Sequence, residues 1–250
     1  MEKITAVKGM EDNFNPDIKI WQYIENIVHK KMKTYGYGEI RTPILEKTEL
    51  FVRGVGNTTD IVKKEMYTFL DKGERSMTMR PEGTAGVVRS VVEHNMLQAG
   101  LPILKFFYFG PMYRYERPQK GRLRQFHQFG VECFGSDSPY VDAETIEILY
   151  SILKEIGLSE LNVKINSIGC PKCRPVFRDK AIAYFSDKKD KLCGECAERL
   201  NINPLRIYDC KIESCREIAK DAPVITECLC DECSGHFEIV KSSLASINIP

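Results

Sequence analysis

The sequence predicts an α+β fold in which an antiparallel sheet is flanked by helices and followed by a cysteine-rich helical module. Two stretches, 65–80 and 105–134, alternate large and polar side chains around a polar turn, which is typical of β-hairpins. Two others, 16–35 and 139–156, repeat apolar residues at helical spacing. Nine of the ten cysteines fall within 170–233. Because hairpins and helices are mixed and do not alternate one by one, an antiparallel sheet is favoured.

The first helix is predicted to begin at Asn15 and Pro16, a cap and a first-turn residue, and to end before Gly36. The next run, YGEIRTPILE at 37–46, is strand-like but contains Pro43. Proline lacks the N–H donor that a central strand must supply. We therefore expect an edge strand or an interface there.

A first hairpin at 65–80, turning between Asp71 and Glu74, leads directly into the helical sequence PEGTAGVVRSVVEHN. Glu82 and Thr84 stand at the junction, where a carboxylate could receive an ammonium group or an imidazole N–H. The alternative is that Glu82 complements the helix dipole and Thr84 caps the helix. The local sequence leaves both interpretations open.

The central hairpin joins runs at 105–116 and 125–134 through a loop of eight residues. Successive strand residues point to opposite faces, so Arg114 and Glu116 are expected to share one face. One face of the return strand is predicted to carry Phe126, Gln128, Gly130 and Glu132. If both sets face the same way, they form a polar floor with an aromatic ring, suited to a small zwitterion and a stacked base.

The hairpin loop offers a cluster of cations that could meet phosphate groups: Arg117, Lys120, Arg122 and Arg124. The alternative is a solvated hairpin with a charged tip, since many charged turns bind nothing. Beyond the hairpin, Ser138 and Pro139 are predicted to open a helix that ends at Gly157. The run LNVKINSIG at 161–169 then predicts another strand.

The composition limits the possible partners. The formal net charge is +1, so contact with nucleic acid must come from a local patch and not from the global field. No secretory or membrane-spanning pattern is found, and we expect a cytoplasmic protein with no membrane partner. Disulfides are typical of small secreted proteins, so the clustered cysteines favour a bound metal.

The cysteine pattern is typical of zinc. Cys170 and Cys173 are two residues apart, as are Cys193 and Cys196, and nineteen residues separate the pairs, as in four-thiolate zinc sites. The remaining cysteines could form a second site or exchange members with the first, and their pairing is not deducible from the sequence. The alternative is a set of reduced, buried thiols without metal. These remaining cysteines are Cys210, Cys215, Cys228, Cys230 and Cys233.

Four segments resemble histidyl-tRNA synthetases, a family of class II aminoacyl-tRNA synthetases. They are YGEIRTPILE, TMRPEGT at 78–84, the long block YRYERPQKGRLRQFHQFGVECFG at 113–135, and NPLRIYDC at 203–210. The resemblance implies the class II antiparallel sheet with flanking helices over residues 1–168. The cysteine-rich part, 169–250, stands where the family carries a helical insertion, although zinc-type cysteines are not general there.

The resemblance implies that histidine is activated with ATP and Mg²⁺ and transferred to tRNA(His) by a homodimer whose interface includes the Pro43 strand. The substrate carboxylate attacks the α-phosphorus itself, so catalysis consists of positioning and charge neutralisation. Arg114 is the expected catalytic residue, because its planar fork can bridge the carboxylate and the α-phosphate. The other implied roles are histidine binding by Glu82, Thr84, Gln128 and Glu132, nucleotide binding by Glu116, Arg122 and Phe126, and tRNA contact by Gln119 and Arg124.

The family carries, further downstream, a segment of the R-G-L-D-Y-Y type and a third motif whose arginine holds the γ-phosphate, and this sequence contains neither. We therefore expect an incomplete synthetase whose adenylation activity alone is very weak or nil. Two alternatives remain. One is the histidine-sensing regulatory subunit of ATP phosphoribosyltransferase, which has the same fold. The other is a zinc-stabilised, non-catalytic module.

Overall fold

The computed structural model describes residues 3–56, 59, 61–98 and 103–249. Within these residues the chain forms eight α-helices and six strands, with one π-helical turn and short 3₁₀ turns between them. The helices are α1 Asp17–Tyr35, α2 Thr48–Val55, α3 Thr84–Glu93, α4 Pro139–Ile156, α5 Cys173–Ser186, α6 Gly194–Ile202, α7 Glu213–Lys220 and α8 Asp231–Ser246. The strands are β1 Gly38–Glu39, β2 Leu45–Lys47, β3 Thr68–Leu70, β4 Ser76–Met79, β5 Leu104–Tyr113 and β6 Gln125–Phe134.

The ends of the two long helices follow the sequence signals. Helix α1 ends at Gly36, whose left-handed φ of 73° is a conformation that glycine adopts without strain. Helix α4 begins after Ser138, whose hydroxyl oxygen accepts a hydrogen bond from the Tyr140 N–H. It ends at Gly157, again left-handed with φ 109°. Helix α1 begins after Pro16, which is its N-cap residue and makes no side-chain hydrogen bond, so the predicted cap at Asn15 is wrong. Glycines end both helices, and Ser138 caps the start of α4.

The strands form two small sheets, in the orders β1-β5-β6 and β2-β4-β3. The long pair β5 and β6 is antiparallel in register from Leu104 opposite Phe134 to Tyr113 opposite Gln125. The Pro43 segment lies between β1 and β2, which are both edge strands, as the proline predicts. The pairing of β1 with β5 is parallel, so the first sheet is mixed and not purely antiparallel as expected.

The two faces of the β5–β6 hairpin pack against different helices. On one face Phe107 and its neighbours join Val28 and Met32 of α1 and Ile148 of α4. On the other face Tyr108 and Met112 pack against α3. Burial of apolar area on both faces explains why these ten-residue strands are the most extensive pairing in the fold.

The strand predicted at 161–169 is wrong. No strand is assigned in this segment, although its side chains alternate between half-buried and exposed with a period of two. A strand is defined by a ladder of backbone hydrogen bonds, and no neighbouring strand among the described residues pairs with this one. Alternating side chains in the sequence predict a strand, but they do not show whether a neighbouring strand is present to pair with it.

The chain divides into two compact units, Met1–Val141 with Ile148–Ser159, and Asp142–Glu147 with Glu160–Pro250. The first unit contains both sheets. The second contains α5 to α8, and its largest apolar cluster includes Phe185, Leu200 and Ile207 together with three cysteines. Among the residues that the structure describes, no helix is long and apolar enough to cross a membrane.

Candidate active site on the central hairpin

One face of strand β6 carries the polar floor that the sequence predicts. Alternation along β6 places Phe126, Gln128, Gly130 and Glu132 on the same face. Their direct partners across the antiparallel ladder are, in order, Met112, Gly110, Tyr108 and Phe106. The floor is therefore a continuous surface formed by β5 and β6. Polar side chains of β6 lie on it, and Gly110 and Gly130, which have no side chains, leave space above the backbone.

Tyr108 occupies that space, and sequence reasoning missed it. A Cβ atom placed on Gly130 would lie 2.3 Å from the Tyr108 ring, and one placed on Gly83 would also lie 2.3 Å from it. Both positions must therefore be glycine for the ring to lie flat between the strand and the start of α3. The glycine between Gln128 and Glu132 was the available signal, since glycine inside a strand often marks a close approach.

Glu132 is the carboxylate of the floor that has lost most contact with water. Burial raises the pKa of the Glu132 carboxyl above its usual value, and the nearby negative charge of Glu82 adds to this rise. A hydrogen bond with the Thr84 side chain opposes it. Burial also raises the pKa of the neighbouring Tyr108 phenol. A positively charged or N–H-bearing group placed here would find a carboxylate that is incompletely satisfied.

Glu82 closes the start of helix α3. Its two carboxylate oxygens accept hydrogen bonds from the Thr84 N–H at 2.6 Å and from the Ala85 N–H at 3.0 Å. The helix-supporting interpretation of Glu82 is thus confirmed, whereas Thr84 makes no capping bond and its side chain instead bonds to Glu132. Each carboxylate oxygen keeps a second lone pair, so the capping role leaves acceptor capacity for a ligand.

Gln128 adds a buried acceptor to the same face. Its Oε1 is inaccessible to water and has no hydrogen-bond partner among the described residues. The same holds for the Tyr67 hydroxyl. Buried polar groups are nearly always hydrogen-bonded, so Gln128 Oε1 is an acceptor that the described residues leave unpaired beside the polar floor.

Arg114 does not lie in a strand, because β5 ends at Tyr113 and the loop is longer than predicted. Its position is nevertheless fixed. The Nε–H donates to the Pro81 carbonyl oxygen at 2.9 Å, and the guanidinium lies over the Phe126 ring with its carbon 5.1 Å from the centroid. The predicted arginine and the predicted stacking ring are therefore in direct contact.

Glu116 also lies beyond the end of β5, so it does not share a strand face with Arg114 as expected. It lies between two arginines. Its Oε2 is 3.3 Å from Nη1 of Arg122, and its Oε1 is 3.9 Å from Nη1 of Arg114. Glu116 is largely shielded from water, whereas Arg122 is more than half exposed. The Glu116 carboxylate therefore holds both guanidinium groups at the loop end of the hairpin. The structure thus brings the predicted nucleotide-binding residues together.

Arg124 and Gln119, the predicted tRNA contacts, have different surroundings. The Arg124 guanidinium stacks 4.0 Å from the Tyr115 ring, and its Nε–H donates to the Glu116 carbonyl oxygen at 3.1 Å. Its backbone N–H donates to the Gly9 carbonyl oxygen at 2.7 Å. Arg124 is thus engaged inside the hairpin, whereas Gln119 is exposed at the tip and pairs with Arg122 only through the backbone.

Arg80 is a further residue that sequence reasoning missed. Its guanidinium donates to the Pro111 carbonyl oxygen at 3.0 Å and to the Thr42 carbonyl oxygen at 2.8 Å. It reaches there by passing over Gly110, where a Cβ atom would lie 2.8 Å from Nη2. Burial lowers the Arg80 pKa. Arg80 therefore joins β4, β5 and the Pro43 segment and fixes the start of the Pro81–Glu82 junction.

The cysteine-rich unit contains two four-thiol clusters, each with all sulfur atoms within 4.8 Å of one another. The first pair of C-x-x-C motifs does not form one site, since Cys170 and Cys173 lie in one cluster and Cys193 and Cys196 in the other. Either cluster could hold a metal ion. The clusters are Cys170, Cys173, Cys230 and Cys233, and Cys193, Cys196, Cys210 and Cys215.

A sheet flanked by helices, with an arginine-bearing hairpin whose strand face is polar, is the arrangement of the class II aminoacyl-tRNA synthetase fold. A family model described as histidyl-tRNA synthetase matches residues 9–172. The chain belongs to the histidyl-tRNA synthetase family.

The curated relatives agree with this assignment. The chain is 52% identical over 242 residues to a histidine–tRNA ligase of Moorella thermoacetica. It is 54% identical over 243 residues to one of Thermosipho melanesiensis. Each alignment covers 97% of this chain and 57% of the relative. The chain thus spans rather more than half the length of the curated relatives it matches.

Solved structures share the fold. The crystal structure of the apo histidyl-tRNA synthetase of S. aureus superposes with a TM-score of 0.77 at 39% identity, over 99% of this chain and 56% of that one. A structure from Bacillus halodurans C, titled an ATP phosphoribosyltransferase regulatory subunit/histidyl-tRNA synthetase, gives a TM-score of 0.66 at 20% identity. It covers 100% of this chain and 67% of that chain, and at this identity it indicates the fold alone.

Proposed function

We propose that this chain supplies the histidine- and ATP-binding hairpin of a histidine–tRNA ligase. The proposed reaction joins histidine to adenylate and then passes the histidyl group to tRNA(His). The observation that carries the proposal is the floor of β6, where Gln128 Oε1 has no hydrogen-bond partner among the described residues and Glu132 is a half-buried carboxyl beside Thr84 and Glu82. This arrangement suits a small ligand that carries an ammonium group and N–H donors.

Histidine matches the floor in its charge and in its hydrogen-bonding groups. Its α-ammonium group can donate to the carboxylates of Glu82 and Glu132, and its ring N–H can donate to Gln128 Oε1 after that side chain rotates to expose it. Thr84 lies within hydrogen-bonding reach of the Glu132 carboxylate and can help to position it. Donors of a ligand would satisfy acceptors that the protein alone leaves incomplete.

We assign the nucleotide to the loop end of the hairpin, near Glu116 and Arg122. Phe126 offers a ring face for the adenine base, and Glu116 and Arg122 form an ion pair beside it that can bind the rest of the nucleotide. Arg114, held by the Pro81 carbonyl and by Phe126, has further N–H donors free to meet oxygen ligands. Mg²⁺ enters with ATP as part of the substrate and supplies neutralisation of phosphate charge.

The chemistry requires positioning more than proton transfer. A carboxylate oxygen of histidine bonds to the α-phosphorus, the bond from that phosphorus to the β-phosphate oxygen breaks, and pyrophosphate leaves. The carboxylate is already deprotonated at neutral pH, so no general base is needed. Arg114 acts by drawing together two anionic groups that otherwise repel each other and by stabilising the charge that grows on the α-phosphate.

Several wider features belong to the same proposal. Residues 1–168 would form the synthetase core and residues 169–250 the family's insertion, with structural Zn²⁺ in the cysteine-rich part. The edge strands around Pro43 would take part in a homodimer interface, and the exposed hairpin tip at Gln119 would meet the tRNA acceptor end. We propose that the protein acts in the cytoplasm, where its substrates are found.

The test is calorimetric titration of the purified, metal-loaded chain with histidine and with ATP plus Mg²⁺, comparing wild type with Arg114→Ala. We expect saturable binding of both ligands by the wild type. Loss of charge-assisted hydrogen bonds is expected to weaken ATP binding by about one to two orders of magnitude, since such bonds contribute about 1.5–3 kcal/mol.

Arg178→Ala is the matched control, because Arg178 is an exposed arginine on α5, outside the candidate site. It should bind both ligands as the wild type does. If Arg114→Ala bound ATP as tightly as the control, the assignment of the nucleotide to the hairpin would be wrong. If neither ligand bound to the folded wild-type chain, the proposal that these residues suffice for ligand binding would fail.

A further inference from the structure

We propose that the cysteine-rich unit binds two zinc ions in two separate, nested four-thiolate sites. The outer site joins the start of α5 to the start of α8. The inner site joins the start of α6 to α7 and lies within the loop that the outer site closes. The sequence alone leaves both the number of sites and the pairing of the thiols open. The outer site consists of Cys170, Cys173, Cys230 and Cys233, and the inner site of Cys193, Cys196, Cys210 and Cys215.

The spacing of the sulfur atoms fits one ion in each cluster. Four thiolates bound to zinc at about 2.3 Å in a tetrahedron lie about 3.8 Å from one another. In the outer cluster Cys170 Sγ is 3.5 Å from Cys173 Sγ and 3.8 Å from Cys230 Sγ. In the inner cluster Cys193 Sγ is 4.0 Å from Cys210 Sγ. These separations are close to the spacing around a single zinc ion, and the other sulfur atoms of each cluster lie within 4.8 Å of one another.

Other uses of four cysteines fit less well. A disulfide brings its two sulfur atoms to about 2.05 Å, far shorter than any of these separations. An iron–sulfur cluster binds its thiolates to different iron atoms, so the sulfur atoms must lie further apart than around one ion. Reduced thiols that served only as small apolar side chains would have no reason to converge four at a time on two points.

Backbone N–H groups point at the sulfur atoms as they do in thiolate sites. The Cys230 N–H donates to Cys173 Sγ at 3.1 Å, and the Lys172 N–H donates to Cys170 Sγ at 3.3 Å. In the inner cluster the Cys193 N–H donates to Cys215 Sγ at 3.2 Å. A thiolate is a much stronger acceptor than a thiol, so these bonds favour the charged form that metal binding needs.

The ligands also occupy helix N-termini. Cys173 begins α5, Cys193 and Cys230 directly precede α6 and α8, and Cys233 lies in the first turn of α8. The N-terminal end of a helix carries a partial positive charge that stabilises nearby anions. Two sites with four thiolates each would otherwise concentrate negative charge, and the helix ends offset part of it.

Each site is closed, with four protein ligands and no position left for water or substrate, which is the arrangement of structural zinc. The inner site is built into the main apolar cluster of the unit, where Cys196 and Cys215 are fully buried beside Phe185 and Ile207. Cys228 is buried but belongs to neither cluster. In such a small helical unit, the two ions would take over part of the stabilising role that a larger apolar core has in bigger domains.

The first experiment counts metal in the wild-type chain, purified without chelator, by elemental analysis. We expect two zinc ions per chain. Alkylation of the native zinc-loaded chain should leave at least the eight cysteines of the two clusters protected, and replacement of zinc by Co²⁺ should give the spectrum of tetrahedral cobalt thiolate. Fewer than two tightly bound ions, or a count of iron in their place, would overturn the proposal. This count stands whether or not any variant folds.

The second experiment tests the partition with two double variants that respond in opposite ways. Cys170→Ser with Cys233→Ser removes two ligands of one proposed site, so one zinc ion should remain. Cys170→Ser with Cys193→Ser removes one ligand from each site, so none should remain tightly bound. If the two C-x-x-C motifs shared a site, the two results would be exchanged.

Cys228→Ala is the matched control, because it changes a buried cysteine of the same unit that lies outside both clusters. It should retain two zinc ions. A loss of zinc in this variant, or the exchanged result for the double variants, would show that the thiols are grouped differently from the proposed partition.

Discussion

Glu132 shows, at the scale of single residues, how the fold prepares a side chain for binding. Strand alternation places it on the polar face, where Tyr108 and α3 pack together and Glu132 is half-buried. As a result its pKa lies above the usual range. An acidic group with that property binds a cationic ligand with a gain that an exposed carboxylate would not provide.

Replacing Glu132 by glutamine should raise stability and lower affinity. Because folding raises the pKa of this carboxyl, its contribution to stability is full below the pKa of the unfolded chain and is lost as the pH rises through the folded pKa. At neutral pH, Glu132→Gln removes a half-buried negative charge that is partly desolvated, so Tm should exceed that of the wild type. Histidine affinity should fall by about one to two orders of magnitude with the loss of a charged acceptor.

Thermal melts at several pH values and calorimetry with histidine check this prediction. The difference in Tm should shrink toward acidic pH, where Glu132 is protonated in both states. The exposed Glu160 provides the control Glu160→Gln, which should alter neither Tm nor histidine affinity. A Glu132→Gln chain that bound histidine normally would contradict the assigned role.

Gly130 is required by the ring that lies on it. In Gly130→Ala the new Cβ would lie 2.3 Å from the Tyr108 ring. The ring also lies close against Gly83, so it has little room to move away. We expect the free energy of unfolding to fall by about 1–3 kcal/mol, which is typical of overpacked cores. Gly54→Ala in α2 is the control, because its new Cβ would meet only Ala85 at the ordinary contact distance of 3.5 Å. Denaturant unfolding of both variants compares the two free energies, and equal stability would be inconsistent with a fixed Tyr108.

At the scale of elements, the central hairpin combines a rigid base with a charged tip. The ten-residue strands β5 and β6 are packed on both faces, and Arg124 fastens the base of the loop to Tyr115 and Gly9. Lys120 and Gln119 at the tip are exposed. The hairpin can therefore hold Arg114 in place while its tip remains available to a polyanion.

Mutation of the exposed Lys120 and mutation of the internally stacked Arg124 should have different effects. Lys120→Ala removes an exposed charge, so it should weaken tRNA binding uniformly and lower the salt slope by about one, with Tm unchanged. Arg124→Ala removes an internal stacking contact and should lower stability by about 1 kcal/mol.

Filter binding of tRNA at several salt concentrations, together with thermal melts, separates the two effects. The predicted role of Arg124 in tRNA contact would gain support if Arg124→Ala lowered the salt slope as Lys120→Ala does. A salt slope unchanged by Lys120→Ala would remove the tip from the proposed tRNA surface.

At the scale of the whole molecule, two units are stabilised by different means. The first has apolar clusters on both faces of the hairpin, with side chains such as Phe51, Met32 and Val87 fully buried. The second has four helices and cysteines as members of its main cluster. A core that depends on thiolates and metal should be sensitive to chelators in a way that a purely apolar core is not.

Removal of zinc should therefore affect one unit selectively. The chain has one tryptophan, Trp21, which lies in the first unit and packs 4.5 Å from the His127 ring. Treatment of the full chain with a strong chelator should reduce the helical circular dichroism signal of α5 to α8 and leave Trp21 fluorescence unchanged. Zinc should restore the signal, and Mg²⁺ should not. A simultaneous change of both signals would contradict separate stabilisation.

Parts of the site were predictable because they depend on local rules. Strand alternation correctly grouped Gln128, Gly130 and Glu132, and glycine and serine signals located the helix ends. Arg114 was misplaced in a strand: its N–H still donates to the Arg124 carbonyl oxygen at 2.9 Å, but the Glu116 N–H donates back to the Arg114 carbonyl oxygen at 2.8 Å, so the chain turns there. Tyr108 and Arg80 were missed, because their roles depend on glycines that come into contact only in the folded chain.

The sequence by itself determined the class of fold, the family, the polar face of β6 and the presence of metal-type cysteines, because each depends on spacing along the chain. Only the tertiary structure decided which four thiols meet, that 161–169 has no paired neighbour among the described residues, and that Arg124 is engaged inside the hairpin. These outcomes depend on which distant segments pack together, and periodicity along the chain carries no information about that choice.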